Sequence, residues 1–194
     1  MAITVSEIAS CTDQFSLSAP TAVKGGTMKI CYLKFNGKPL SIKLSDNLET
    51  INIPFAPSVF GGGTGLEDRK GIVFNIPDEV FDNFAVLEEW CRTKLVDHFP
   101  NIESIWTSSV KPKDKFSSSL KAKINVSGPR VAKFYNADNE IADPPECWRQ
   151  LPCNGVVGIR GCYCQKGSIG LLVDCTHLQA GTPGNVVDDE PSPF

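Results

Sequence analysis

Lys111–Tyr135 reads KPKDKFSSSLKAKINVSGPRVAKFY, and the alternation at its centre decides the fold class. Leu120, Ala122, Ile124 and Val126 fall on one face of an extended segment; Lys121, Lys123 and Asn125 fall on the other. A period of two with one apolar face describes a half-buried strand. Its outer face is cationic. The stretch carries seven basic residues (Lys111, Lys113, Lys115, Lys121, Lys123, Arg130 and Lys133) against one acid, Asp114. Phe116, Phe134 and Tyr135 flank the strand. Positive charge beside flat rings is what holds an unpaired nucleic-acid strand: charge for phosphates, ring faces for unstacked bases. A solvated strand face between two basic loops has the same composition and is the alternative at this point.

The far end of the chain tips the balance. The formal net charge is −3, and Asp188, Asp189 and Glu190 account for all of it. The body is therefore neutral overall, with its positive charge concentrated between Lys111 and Lys133. That polarity suits a polyanion as ligand, with the tail competing for the same patch. Past Ala180 the composition (AGTPGNVV, then DDEPSPF) is that of a linker and an acidic tail ending in Phe194. Three carboxylates and a terminal ring make a compact anionic ligand for a basic pocket with a hydrophobic slot; chain ends otherwise simply fray.

The 194 residues suffice for one domain with a core, expected over residues 1–180, followed by the tail at 181–194. There is no apolar run near ~20 residues, so we expect no membrane span. MAITVSEIAS lacks a basic region followed by an apolar core, so an intracellular location is expected. Eight cysteines are present, at positions 11, 31, 91, 147, 153, 162, 164 and 175. In that compartment disulfides are disfavoured. Zinc ligands could be drawn from Cys162, Cys164, Cys175 and His177, or from Cys147 and Cys153. No pair has the C-x₂-C spacing of a knuckle, so buried thiols, with no metal and no cofactor, are the expectation.

A short strand is expected at Phe15–Leu17, and Met28–Phe35 with Leu40–Leu44 form a hairpin around Asn36-Gly37. Thr50–Phe55 and Gly71–Ile76 are further strands. Between them GGGTG (Gly61–Gly65) is a long loop edged by Phe55 and Phe60; no Gly-Lys-Ser/Thr follows, so it is not a phosphate loop. From residue 78 to 99 apolar residues recur at three- and four-residue steps: one amphipathic helix, capped by Asp78 and ended by Pro100. Glu103–Ser108 is expected to be a strand with Trp106 exposed. Lys133–Tyr135 starts a second hairpin, and Gly155–Cys164 with Ser168–Leu178 forms a third, its core face Ile169, Leu171, Val173 and Cys175. Asp138, Glu140, Asp143 and Glu146 are either a polar turn or a metal site for phosphodiester hydrolysis; nothing completes that chemistry, and the turn is preferred. Strands without βαβ alternation plus one helix make a mainly β fold, a sheet closing on itself into a small barrel.

Four features together resemble the OB-fold single-stranded DNA-binding proteins of phages and large DNA viruses. They are the midway helix, the segment from Phe116 through Ser117–Ser119 into Leu120-Lys121-Ala122-Lys123, the Lys133-Phe134-Tyr135 hairpin arm, and the acidic tail ending in Phe194. The resemblance implies a non-catalytic, sequence-independent protein that coats single-stranded DNA in replication, recombination and repair. Lys111, Lys113, Lys121, Lys123, Arg130 and Lys133 would meet phosphates. Phe60, Trp106, Phe134, Tyr135 and Tyr163 would stack on bases. Asp188, Asp189, Glu190 and Phe194 would dock replication proteins, a polymerase or helicase-primase. A homodimer stays open. The rivals are a metal-dependent nuclease and a non-catalytic RNA-binding or protein adaptor module.

Overall fold

The computed structural model describes residues 2–48, 50–59, 69–113, 117–165 and 167–181. In chain order the strands are β1 (Ile3–Thr4), β2 (Phe15–Leu17), β3 (Thr21–Val23), β4 (Met28–Phe35), β5 (Lys38–Lys43), β6 (Ile51–Ile53), β7 (Ser58–Val59), β8 (Arg69–Ile76), β9 (Val110–Lys111), β10 (Ser118–Asn125), β11 (Lys133–Tyr135), β12 (Ile141–Ala142), β13 (Leu151–Gln165) and β14 (Ser168–Ala180). The helices α1 (Asp78–Leu95) and α2 (Ile102–Ile105) stand between β8 and β9.

Five of these strands close on themselves. β13 pairs with β6, β6 with β8, β8 with β10, β10 with β14, and β14 returns to β13. Closure removes the exposed sheet edges that invite aggregation. The parallel seam of the ring sets Lys123 beside Asp174 and Ile124 beside Cys175. The alternation expected at β10 holds: Leu120, Ala122 and Ile124 are buried while Lys121 is exposed. Ile169, Leu171, Val173 and Cys175 of β14 also point into the core.

The longest strand, β13, does the work of three. One edge follows β14; the other takes β6 at Leu151–Cys153, β5 at Val156–Ile159 and β4 at Gly161–Cys164. Register shifts at Val156/Val157 and Ile159/Cys162 bend it between these partners. Gly161 permits the last hand-over. Its φ is 142°, and a Cβ there would lie 1.9 Å from the Cys31 carbonyl oxygen.

The sequence-based elements are largely found. Asn36 and Gly37, at φ 48° and 75°, turn β4 into β5 as a type I′ pair demands. In α1, Val80, Phe84, Leu87, Cys91 and Leu95 form the buried stripe. Burying a side chain such as Phe84 is worth about 1.5–3 kcal/mol. Two expectations are corrected here. The capping position is Pro77, in extended conformation, and Asp78 is the first helical residue. The Asp78 carboxylate instead accepts the Ser118 hydroxyl at 3.2 Å, tying helix to barrel. Glu103–Ser108 is not a strand: Ile102 and Ile105, three apart, both pack on the core from the turn α2, and only Trp106 bridges to Ile169. The GGGTG loop, Phe60, Lys115, Phe116 and the tail residues Asp188, Asp189, Glu190 and Phe194 lie outside the described residues.

Candidate nucleic-acid interface

Side chains alternate across a strand, so the outward faces of adjacent strands share one surface. On β10, β14, β13 and β4, taken side by side, that surface is a groove of about 820 Å³. Its floor carries Lys123 from β10, Asp174 and Thr176 from β14, Arg160 and Tyr163 from β13, and Tyr32 from β4. The segment 127–132, with Arg130, lines one side; Arg69 of β8 reaches in across β10.

Four cations thus meet two tyrosines in one cleft. Tyr32 is 40% exposed. The Tyr163 ring lies on Gly170, where a Cβ would come within 3.1 Å of it, and its hydroxyl is 3.3 Å from the Ser168 hydroxyl. The ring is therefore held in place from below by a backbone without a side chain. Asp174 is the one carboxylate among the described lining residues. It takes Arg69 Nη2 on Oδ1 and Arg160 Nε on Oδ2, the latter at 2.9 Å.

Of the expected site residues, Lys123, Arg130 and Tyr163 come together in this groove. Lys111, Lys113, Lys121 and Lys133 do not line it. Lys121 shares the outward face of β10 with Lys123, but it sits beside Lys111. Burial, and then that like charge, lower its pKa. Tyr135 stacks on His177, centroids 6.3 Å apart at 17°, next to Thr176 of the groove. His177 contacts the Thr176 hydroxyl through Nδ1 at 3.0 Å, and burial, then Lys133, lower its pKa.

Phe134 and Trp106 are corrected as base platforms. Phe134 is 4% exposed and meets Trp148 edge to face at 6.1 Å, because β11 turns that side chain to the core. Trp106 is half-buried, its indole N–H bonds Glu88, and Arg92 lies over its ring at 5.8 Å.

Most of the thiols lie in the core. Seven cysteines are buried and Cys147 is exposed, all of them reduced. Cys31 neighbours Cys164, Cys162 lies near Cys91, Cys31 and Cys164, and Cys153 neighbours Cys175. Burial pushes Cys153 up to about 12 and raises Cys175 as well. Among the described residues no three His, Cys, Asp or Glu are placed to hold a metal.

No family model matches the chain, and no curated protein matches it. A solved structure does. The crystal structure of gp2.5, a single-stranded DNA-binding protein encoded by bacteriophage T7, superimposes with a TM-score of 0.52 at 12% identity, over 75% of this chain and 96% of gp2.5. The two chains share a fold. The single-stranded DNA-binding protein from bacteriophage Enc34 aligns in its C-terminally truncated form at 14% identity and TM-score 0.49, over 91% of this chain and 98% of that one. Its complex with ssDNA aligns at 13% and 0.45, over 85% and 94%. The likeness to gp2.5 supports the mainly β, OB-fold-like barrel with one main helix, α1.

Tyr32, Arg69 and Arg160 also line the groove, beyond the residues expected from sequence. Tyr32 was findable: Met28, Ile30 and Tyr32 share a parity opposite to Cys31 and Leu33. Arg160 was findable as the lone cation in GVVGIRGCYC. Arg69 gave no local signal, since it stands in the charged run LEDRK and gains its place only through pairing of β8 with β10.

Proposed function

We propose that this protein binds single-stranded DNA without sequence preference. It coats and protects unwound strands in phage or viral DNA replication, recombination and repair. One observation carries the reading: Lys123, Arg130, Arg69 and Arg160 share a groove with Tyr32 and Tyr163. Cations there meet phosphates, and flat rings accept any base because every base has a π-face. The fold-sharing neighbour from T7 is itself named a single-stranded DNA-binding protein, which supports the same reading.

The role is non-catalytic and needs no cofactor. Nothing favours the nuclease reading. Glu140 is absorbed into its own turn, its carboxylate accepting Asn136 Nδ2 at 3.2 Å and its N–H bonding Asn136 Oδ1 at 2.9 Å. No helix is long and apolar enough to cross a membrane among the described residues. The tail from Asp188 to Phe194 recruits polymerase or helicase-primase. Its composition supports this, and its deletion should leave DNA affinity equal or higher while abolishing capture of those partners.

The test is binding of fluorescent oligo-dT against duplex DNA and oligo-U. Preference for oligo-dT supports the proposal. Preference for duplex overturns it, and preference for oligo-U moves it to RNA, since stacking and charge do not report the sugar.

A further inference from the structure

We propose that Asp174 is a built-in competitor for the bound strand, a carboxylate that occupies Arg69 and Arg160 until a backbone phosphate displaces it. This rests on the single-stranded reading above and deepens it.

Asp174 sits near the middle of the groove floor, on β14. In the sheet, β14 has β13 on one side and β10, then β8, on the other. Arg160 therefore reaches Asp174 from one side and Arg69 from the other, each guanidinium taking a different carboxylate oxygen. The side chains are 24% exposed for Asp174, 29% for Arg69 and 44% for Arg160, so solvent and ligand can reach all three. A phosphate offers the same anionic oxygens in reach of the same donors. Each guanidinium has five N–H groups in a planar fork, so it can turn from carboxylate to phosphate without leaving the groove. Ion pairs open to solvent are weak, so the exchange costs little.

The consequence is a groove tuned below its full charge. Two cations share one carboxylate before the strand arrives, and it reclaims them when the strand leaves. Asp174 thus positions Arg69 and Arg160, limits affinity and favours release. A carboxylate that only braced the arginines would have the opposite effect on removal, since the arginines would lose their geometry.

The test compares the full chain with Asp174→Asn, an isosteric change that removes the charge. Oligo-dT binding is measured by fluorescence anisotropy across a salt series. Without the freed carboxylate to take up a cation, binding releases one more counterion, so the log–log salt slope steepens by about 0.7 and binding tightens roughly 5-fold at about 0.1 M salt. Equal or weaker binding by the variant, or an unchanged slope, overturns the proposal. If the wild-type chain itself binds no oligo-dT, the single-stranded reading fails and this proposal falls with it. A second measurement needs no variant. The Arg160 Nε–H resonance of the wild-type protein should move on saturation with oligo-dT as its acceptor changes; a resonance that stays put at saturation overturns the proposal.

Discussion

Trp106 donates its indole N–H to Glu88 at 3.1 Å. Glu88 is 4% exposed, and the same carboxylate accepts the Ser108 hydroxyl at 2.6 Å and both the N–H and the hydroxyl of Ser109 at 2.7 and 2.6 Å. A buried anion is tolerable when its lone pairs are satisfied. Here four donors from one segment converge on one helical residue, which fastens α1 to the chain entering β9.

Truncating that carboxylate therefore orphans the N–H and the hydroxyl of buried Ser109 together. Each unsatisfied buried group costs about 1–3 kcal/mol, so Glu88→Ala should lower stability by about 2–4 kcal/mol. Trp106→Phe should be milder, and should leave affinity for oligo-dT within about 2-fold, because the ring is no base platform. Urea unfolding and anisotropy on the same variants measure both. A Trp106→Phe variant that is stable but loses DNA would restore the stacking role.

The groove cations separate from the outlying ones by salt dependence. Lys123→Gln and Arg130→Gln should each make the log–log slope shallower by about 0.7. Lys113→Gln, outside the groove, should change the slope by much less. Equal effects at all three positions would mean the charge acts as a diffuse field rather than through contacts in this cleft.

These contrasts show how far the sequence could be read. Period-two runs placed β10 and β14, and the 3.6 period placed α1, because each buries one continuous face of one element. The Asn36-Gly37 turn was legible for a local reason, its positive φ values. Phe134 was misread because a three-residue strand offers too few alternations to say which side is the core. Trp106 was misread because its partner, Glu88, is eighteen residues away on another element. The groove needs β4, β13, β14, β10 and β8 together, and long-range pairing leaves no trace in local periodicity. Lys123 and Tyr163 were picked out by their own strands; their meeting was not.

His177 gives the stability a pH dependence of definite sign. Burial, then Lys133, lower its folded pKa from 6.5, so the fold prefers the neutral ring. The unfolded chain then binds the proton more readily. Stability should be full above 6.5, fall as pH drops through that value towards the folded pKa, and level off below it. Urea midpoints across this range should lose that segment of slope in His177→Asn. An identical profile in the variant would contradict the assignment.

Thiol reactivity should report the same packing. Cys147 is exposed, whereas the other seven are buried, with Cys153 pushed up to about 12. Thiolate is the reactive form. A chromogenic disulfide reagent should titrate one thiol rapidly in the native protein and the remainder only on unfolding. Fast reaction of several thiols would mean that the core opens readily.

The central claim is that Tyr32 and Tyr163 stack on bases while neighbouring cations hold the phosphates. The direct measurement is oligo-dT anisotropy on the Tyr32→Ala/Tyr163→Ala double variant beside the wild type. Each ring removed should cost about 1–3 kcal/mol, so affinity should fall at least 10-fold while the salt slope stays the same. A folded double variant that binds as tightly as the wild type would contradict the account.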